Sequence, residues 1–314
     1  MKPKIVVVCG PTASGKTKLG IELAKRLGGE VVSADSMQVY RKMDVGTAKP
    51  TLEEREGIPH YMMDVADPWE NYSVARYVKE ATACTDQILE RGKLPIVVGG
   101  TGLYIDSLLR GLDFASFDPE GSIRTELREE AKAQGSGTLW TRLSEVDPEA
   151  AKRLHPNDEK RIIRALEVFY ETGKTISEHN RESKKIPPRY ESALIGLSYE
   201  NRDVLKRRID LRVDDMIKRG LEEEVRNLLE EGIPRTCTAM QAIGYKEFAT
   251  CLEEGLPIPA AVEEIKLRSR QYAKRQLTWF RRKAETHWIL WGKSPDFSSA
   301  LQNSISFLQG EGLE

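Results

Sequence analysis

Short runs of apolar, mostly β-branched residues punctuate the chain at 5–9, 31–33, 96–98, 193–197 and 287–291. None alternates cleanly with polar positions, which is the pattern of strands buried on both faces of a parallel sheet. Between the runs, apolar positions fall into helical spacing, as at Leu19, Leu23 and Leu27 behind the first. Strands alternating with helices predict an α/β layer with a mostly parallel sheet flanked by helices. The middle of the chain breaks this rhythm. From 118 to 185 the pattern predicts charged helices and no strand, closing on the proline-bearing SKKIPPRY. Residues 118–189 therefore read as an all-helical domain inserted between two parts of the α/β core, 1–117 and 190–314. Further helices are expected over 201–231 and 257–285. Phe297, Leu301, Ile305 and Leu308 predict an amphipathic tail helix that packs back on the body.

A chain of 314 residues has room for about two domains. No apolar run approaches the roughly 20 residues that cross a bilayer, so no membrane partner is expected. The run at 5–9 meets a glycine loop at once, which suits a strand and not a secretory segment, and the cytoplasm is the expected location. Cys9, Cys84, Cys237 and Cys251 form no CxxC pair, which argues against a zinc ribbon or a disulfide framework. The net charge of −1 gives no general attraction to polyanions, yet residues 266–283 carry eight Lys or Arg and no acid. That local bias is compatible with nucleic acid.

GPTASGKT, residues 10–17, satisfies GxxxxGK[ST] between a strand and an amphipathic helix. Gly10, Pro11, Thr12, Ala13, Ser14 and Gly15 wind the backbone so that successive N–H groups face a phosphate, and the helix N-terminus adds partial positive charge. Lys16 can reach a terminal phosphate and Thr17 can hold Mg²⁺. The motif leaves open whether the ligand is a nucleotide hydrolysed for energy or a diphosphate that departs. A second Mg²⁺ acid is expected of an ATPase, but the strand in PIVVGGTG ends in glycines and the run around Asp64 in HYMMDV is weakly strand-like. Asp35 follows the second strand, where parallel-sheet loops line the same crevice. It either handles a proton there or caps its own turn. Ser33, Ser36 and Gln38 equally suit turn positions. Thr101, in GGTGLY, offers a hydroxyl to the crevice or marks a tight strand-to-helix turn.

In order and spacing, GPTASGKT, SADSMQVYRKMDVGTAKP, HYMMD, VVGGTGLY, NDEKRIIRALEV, QAIGYKE and YAKRQLTWFR resemble the tRNA dimethylallyltransferase (tRNA isopentenyltransferase) family. The resemblance runs from Ile5 to about Trp291 and is to the bacterial form, because the cysteines of the eukaryotic zinc-finger extension are missing. It implies a P-loop-containing core that moves a dimethylallyl group from dimethylallyl diphosphate to N6 of the adenosine 3′ of the anticodon. Diphosphate would leave and Mg²⁺ would assist. Asp35 would accept the N6 proton, Thr101 would bond near the reacting centre, and Arg212 would hold the diphosphate. The local alternative for Arg212 is an exposed pair with Asp215.

For the tRNA, the resemblance implies contacts from Asp35, Ser36, Met37, Gln38 and Thr101 to the target base, which must leave its stack. Lys160, Arg161 and Arg164 of the insertion would meet the anticodon stem-loop; read locally, they form a solvated face paired with Glu167 and Glu171. Gln241, Ala242, Ile243, Gly244, Tyr245 and Lys246 would contact base or phosphate, or simply begin a helix. Lys274, Arg275 and Arg281 would face phosphate, with Tyr272, Trp279 and Phe280 in the core. The expected assembly is a monomer. An adenylate isopentenyltransferase, a small-molecule kinase and a non-catalytic nucleotide switch are the competing readings.

Overall fold

The computed structural model describes residues 2–112 and 121–313. The expected domain boundary at 117 and 118 lies outside them. The chain divides into two compact units, Met1–Gly111 with Arg189–Glu314, and Leu112–Pro188.

Six strands of the first unit form one sheet: β1 Lys4–Cys9, β2 Glu30–Ser33, β3 His60–Tyr61, β4 Pro95–Gly99, β5 Glu191–Tyr199 and β6 His287–Trp291. Their order is β3-β2-β4-β1-β5-β6, and every neighbouring pair is parallel. The central strand β1 pairs Val6 with Ile96 on one side and with Ala193 on the other, and residues 5–9 are completely buried. The five apolar runs all become strands. The sixth, β3, is a two-residue edge strand whose residues are only half-buried, too short for any hydrophobic period to mark.

Along the chain, α1 Lys16–Leu27, α2 Val74–Glu90 and α3 Gly102–Arg110 come first. In the second unit lie α4 Ser122–Gln134, α5 Ser136–Val146, α6 Pro148–Arg153, α7 Glu159–Thr172 and α8 Ile176–Lys185. The first unit resumes with α9 Arg202–Lys218, α10 Leu221–Glu230, α11 Tyr245–Glu254, α12 Ile258–Phe280 and α13 Phe297–Gly310. The helix expected over 201–231 is thus two, broken at Gly220 with φ 94°. Leu19, Leu23 and Ala24 of α1 bury against Val6, Val8, Ile96 and Val98, and the same core takes in Ala300 and Leu308 of α13. Each such leucine, isoleucine or valine side chain contributes roughly 1.5–3 kcal/mol by leaving water. The tail helix packs back on the body, as its spacing predicts.

The second unit has its own core of Leu127, Leu139, Leu143, Ile162, Ile163 and Leu166. Asp147 joins two of its helices, accepting from Ala150 N at 2.9 Å and from Ser177 N at 3.0 Å. No strand occurs among its described residues.

Candidate active site

Because all six strands run one way, the loops leaving β1, β2 and β4 emerge at the same edge of the sheet. The loop after β1 turns at Gly10, where φ is 145° and a Cβ would fall 2.3 Å from the Leu197 carbonyl oxygen. Only glycine avoids both problems. The loop is fastened from behind by β6, whose Trp291 Nε1 donates to Ser14 O at 2.7 Å. Ser14 Oγ is buried and has no hydrogen-bond partner among the described residues. Lys16 Nζ folds back to donate to Pro11 O at 2.6 Å.

These loops surround a cavity of about 510 Å³ in the first unit. Residues 12–18 and 35–38, Arg212, residues 241–243, Tyr272, Arg275 and Gln276 line it. Asp35 does cap its own turn: its Oδ1 accepts from Met37 N at 2.9 Å and, more weakly, from Gln38 N at 3.4 Å. It also lines the cavity, so the two readings coexist. Thr101 stands one residue past the lining glycines; its Oγ1 accepts from Ser36 N and its own N–H donates to Ala34 O, both at 3.1 Å. The β2 and β4 turns are therefore stitched together on either side of Asp35.

Arg212 is not the exposed partner of Asp215, which lies near Arg219 instead. It is half-buried in the cavity wall, with Nε sealed from solvent and unpartnered. Burial lowers its pKa, opposed mainly by the charge of Asp35. Lys16 drops to about 8, first through burial and then through repulsion by Arg212. Two desolvated cations facing one carboxylate are costly unless an anion joins them. The two cations and the carboxylate leave this wall of the cavity with a net positive charge, which favours an anionic ligand.

Other sites expected from the sequence fare unevenly. Gln38 lines the cavity, but its amide is engaged within the protein, with Ser33 Oγ at 2.9 Å and with the Thr47 and Ala48 carbonyls. Asp64 pairs at 2.6 Å with the buried ammonium of Lys49 and is not among the residues lining the cavity. Gln241 is exposed and Ala242 and Ile243 join it in the lining, while Lys246 is exposed. Tyr245 offers no stacking face: it is fully buried, with its hydroxyl donating to Glu224. That carboxylate also accepts from the N–H groups of Asp44 and Val45 at 2.8 Å and of Gly46 at 3.0 Å, holding a loop that lines the cavity.

On α12 Lys274 and Arg275 are exposed and Phe280 is core, and Arg281, just past its end, is exposed. Trp279 corrects the expectation: it is 38% exposed, with Nε1 donating to Asp106 Oδ2 at 2.9 Å. Tyr272 is half-buried in the cavity wall and not in the core; its hydroxyl is pushed up to about 12, chiefly by burial. In the helical unit Lys160 is exposed, Arg161 pairs with Asp158 at 3.0 Å, and Arg164 pairs with Glu167 at 2.8 Å. Glu167 is buried between Arg164 and Arg124. Gln276 and Glu224 escaped the sequence reading; a lone glutamine in YAKRQLTWFR is the one trace of the first.

The chain matches the family model described as IPP transferase over residues 38–283, and that described as Isopentenyl transferase over residues 3–66. A tRNA dimethylallyltransferase of Thermoanaerobacter sp. (strain X514) is 47% identical over 312 residues, covering 99% of each chain. The protein of that name from Geobacillus thermodenitrificans is 47% identical over 311 residues, covering 99% of this chain and 98% of its own. Among solved structures, a tRNA isopentenylpyrophosphate transferase from Bacillus halodurans has a TM-score of 0.74 at 43% identity, over 98% of this chain and 96% of that one. A eukaryotic dimethylallyltransferase described as acting on tRNA has a TM-score of 0.84 at 34% identity, over 99% of this chain and 80% of that one. Aligned almost end to end with such relatives, this chain belongs to the IPP transferase family, the tRNA dimethylallyltransferases.

Proposed function

We propose that this protein transfers a dimethylallyl group from dimethylallyl diphosphate to N6 of the adenosine immediately 3′ of the anticodon in tRNA, releasing diphosphate. The observation that carries this reading is the cavity that sets Lys16 and Arg212 opposite Asp35. The cations suit a departing diphosphate, and the carboxylate suits the proton that must leave the attacking amine.

Adenine N6 is a weak nucleophile because its lone pair is delocalised into the ring. The allylic C–O bond breaks readily if the oxygen side is stabilised. Loop amides, Lys16 and Arg212 supply preorganised positive charge where negative charge develops. The N6–carbon bond forms as the carbon–oxygen bond breaks, the electron pair leaves with diphosphate, and the N6 proton passes to Asp35. General-base help of this kind contributes ~10²–10⁴-fold. The Thr17 hydroxyl at the start of α1 and the unpartnered Ser14 Oγ fit a metal–diphosphate pair. Mg²⁺ held by Thr17 would draw charge from the diphosphate oxygens.

The tRNA would present its anticodon loop with the target base unstacked into the cavity. Ser36, Met37, Gln38, Thr101 and the stretch from Gln241 to Gly244 would border that base. The helical insertion, through Lys160, Arg161 and Arg164, would meet the anticodon stem-loop, and Lys246, Lys274, Arg275 and Arg281 would meet phosphates. Each phosphate neutralised adds about 0.9 to the salt slope on duplex. One chain supplies every residue of this mechanism, so a monomer suffices, and tRNA as substrate makes the cytoplasm the working compartment. No helix among the described residues is long and apolar enough to cross a membrane.

The test uses purified protein, unmodified tRNA with adenosine 3′ of the anticodon, and Mg²⁺. One reaction receives dimethylallyl diphosphate, the other ATP, and the nucleosides are read by mass spectrometry. Prenylated adenosine and free diphosphate are expected in the first alone. ATP consumption without an RNA product would favour a kinase and overturn the proposal.

A further inference from the structure

Of the polar α12 side chains that line the cavity, Gln276 is the buried one, 6% exposed, and both ends of its amide reach across the cleft. Its Oε1 accepts from Thr12 N at 2.8 Å, and its Nε2 donates to Gly100 O at 3.0 Å. Thr12 belongs to the phosphate loop. Gly100 belongs to the β4 turn, whose next residue, Thr101, is bonded to Ala34 and Ser36 on either side of Asp35. A Cβ on Gly100 would lie 2.2 Å from Gln276 Nε2, so glycine there leaves room for the amide. One side chain thus ties the loop on the leaving-group side to the turn on the proton-accepting side.

We propose that Gln276 is a positioning residue that fixes the separation between the phosphate loop and the Asp35–Thr101 turn, and with it the distance the allylic carbon crosses from diphosphate to N6. This rests on the prenyl-transfer reading above. Productive attack needs the reacting atoms about 3–3.5 Å apart, and a misplacement of about 1 Å can cost about 10²-fold in rate. The bridge needs an acceptor and a donor on one planar group. Methionine has similar length and neither bond. Glutamate, when ionised, keeps the acceptor towards Thr12 and turns the donor into a second acceptor facing the Gly100 carbonyl.

The experiment compares the wild type with Gln276→Met and Gln276→Glu in full steady-state kinetics from pH 6 to 8.5, with thermal melts alongside. The methionine variant is expected to lose ~10²-fold in kcat with both KM values within about threefold of wild type, because Lys16, Arg212 and the RNA-facing side chains are not themselves changed. The glutamate variant has a further signature. Its introduced carboxyl is buried against a carbonyl, so its protonated form is favoured, and that form can donate to Gly100 and accept from Thr12. Its kcat relative to wild type is expected to rise as pH falls, while the methionine ratio stays flat. A methionine variant within threefold of wild type in kcat, or one altered only in KM, overturns the proposal. So does a flat ratio for the glutamate variant, which decides the matter if the methionine variant fails to fold. Absence of wild-type product would overturn the prenyl-transfer reading and this role with it; normal wild-type turnover beside an unimpaired methionine variant overturns this role alone.

Discussion

Replacing Asp35 with asparagine removes the proposed proton acceptor and leaves the turn in place. The asparagine Oδ1 can still accept from Met37 N, as the Asp35 Oδ1 does at 2.9 Å. Asparagine and aspartate serve about equally well in such caps, so the turn itself should hold, and any fall in melting temperature would come from the lost charge facing Arg212 and Lys16. The chemical step should slow by ~10²–10⁴-fold, equivalent to about 2.7–5.4 kcal/mol of lost transition-state stabilisation. Asp35→Ala separates the two roles from the other direction. It loses the cap as well, costing about 1 kcal/mol and so roughly 2–4 °C of melting temperature, on top of the same kinetic defect. The assay is single turnover with enzyme in excess over tRNA, quenched and read as prenylated nucleoside, together with tRNA binding at fixed salt. Binding should change little. An asparagine variant within tenfold of the wild-type rate would remove Asp35 from proton transfer and leave it a turn residue only.

The low pKa of Lys16, about 8, has a directional consequence. Below that pH the amine is charged and, on the proposed function, would pair with diphosphate; above it the charge is lost, so the Kd for inorganic diphosphate, followed by calorimetry, should rise by up to about tenfold per pH unit. A flat profile from pH 7 to 9.5 would refute the assignment. Stability of the ligand-free fold runs the opposite way: the unfolded chain keeps its proton up to its ordinary value of 10.5, so this group's contribution improves as pH rises from about 8 towards 10.5. Arg212→Met should stabilise the ligand-free protein by about 1 kcal/mol, because it removes a buried unpartnered Nε and relieves Lys16. The same change should weaken diphosphate binding by ~10–100-fold, since bonds to charged groups are worth about 1.5–3 kcal/mol. A destabilised variant with unchanged diphosphate affinity would return Arg212 to a purely structural role.

Much of the site was legible because its parts are contiguous. A phosphate loop needs its glycines, lysine and threonine in one stretch behind a strand, and GPTASGKT supplies them together. Asp35 could be assigned to the crevice, and Thr101 to the turn beside it, because parallel strands deliver their following loops to one edge. The residues that resisted reading act across long separations or lie on ambiguous faces. In α12, aromatic and basic residues occur on every side, so the core assignment holds for Phe280 while spacing does not reveal that Tyr272 is in the cavity wall and Trp279 is at the surface. Tyr245 begins a helix beside exposed Lys246, and only its packing shows that its hydroxyl serves Glu224 and no ligand.

By itself, then, the sequence determined the elements and their direction: five apolar runs that become parallel strands, a phosphate loop, a strand-free middle and a tail helix. These follow from short-range physics, since burial on both faces, helical period and glycine conformations are all properties of a few consecutive residues. Tertiary structure decided which charges share a space. It brought Arg212 from α9 and Gln276 from α12 to the loop after β1, and it paired Lys49 with Asp64, outside the lining of the site. Desolvation and hydrogen bonding between distant segments exist only once the sheet has stacked its helices. The cation pair, the bridge and the lowered pKa of Lys16 are therefore properties of the fold.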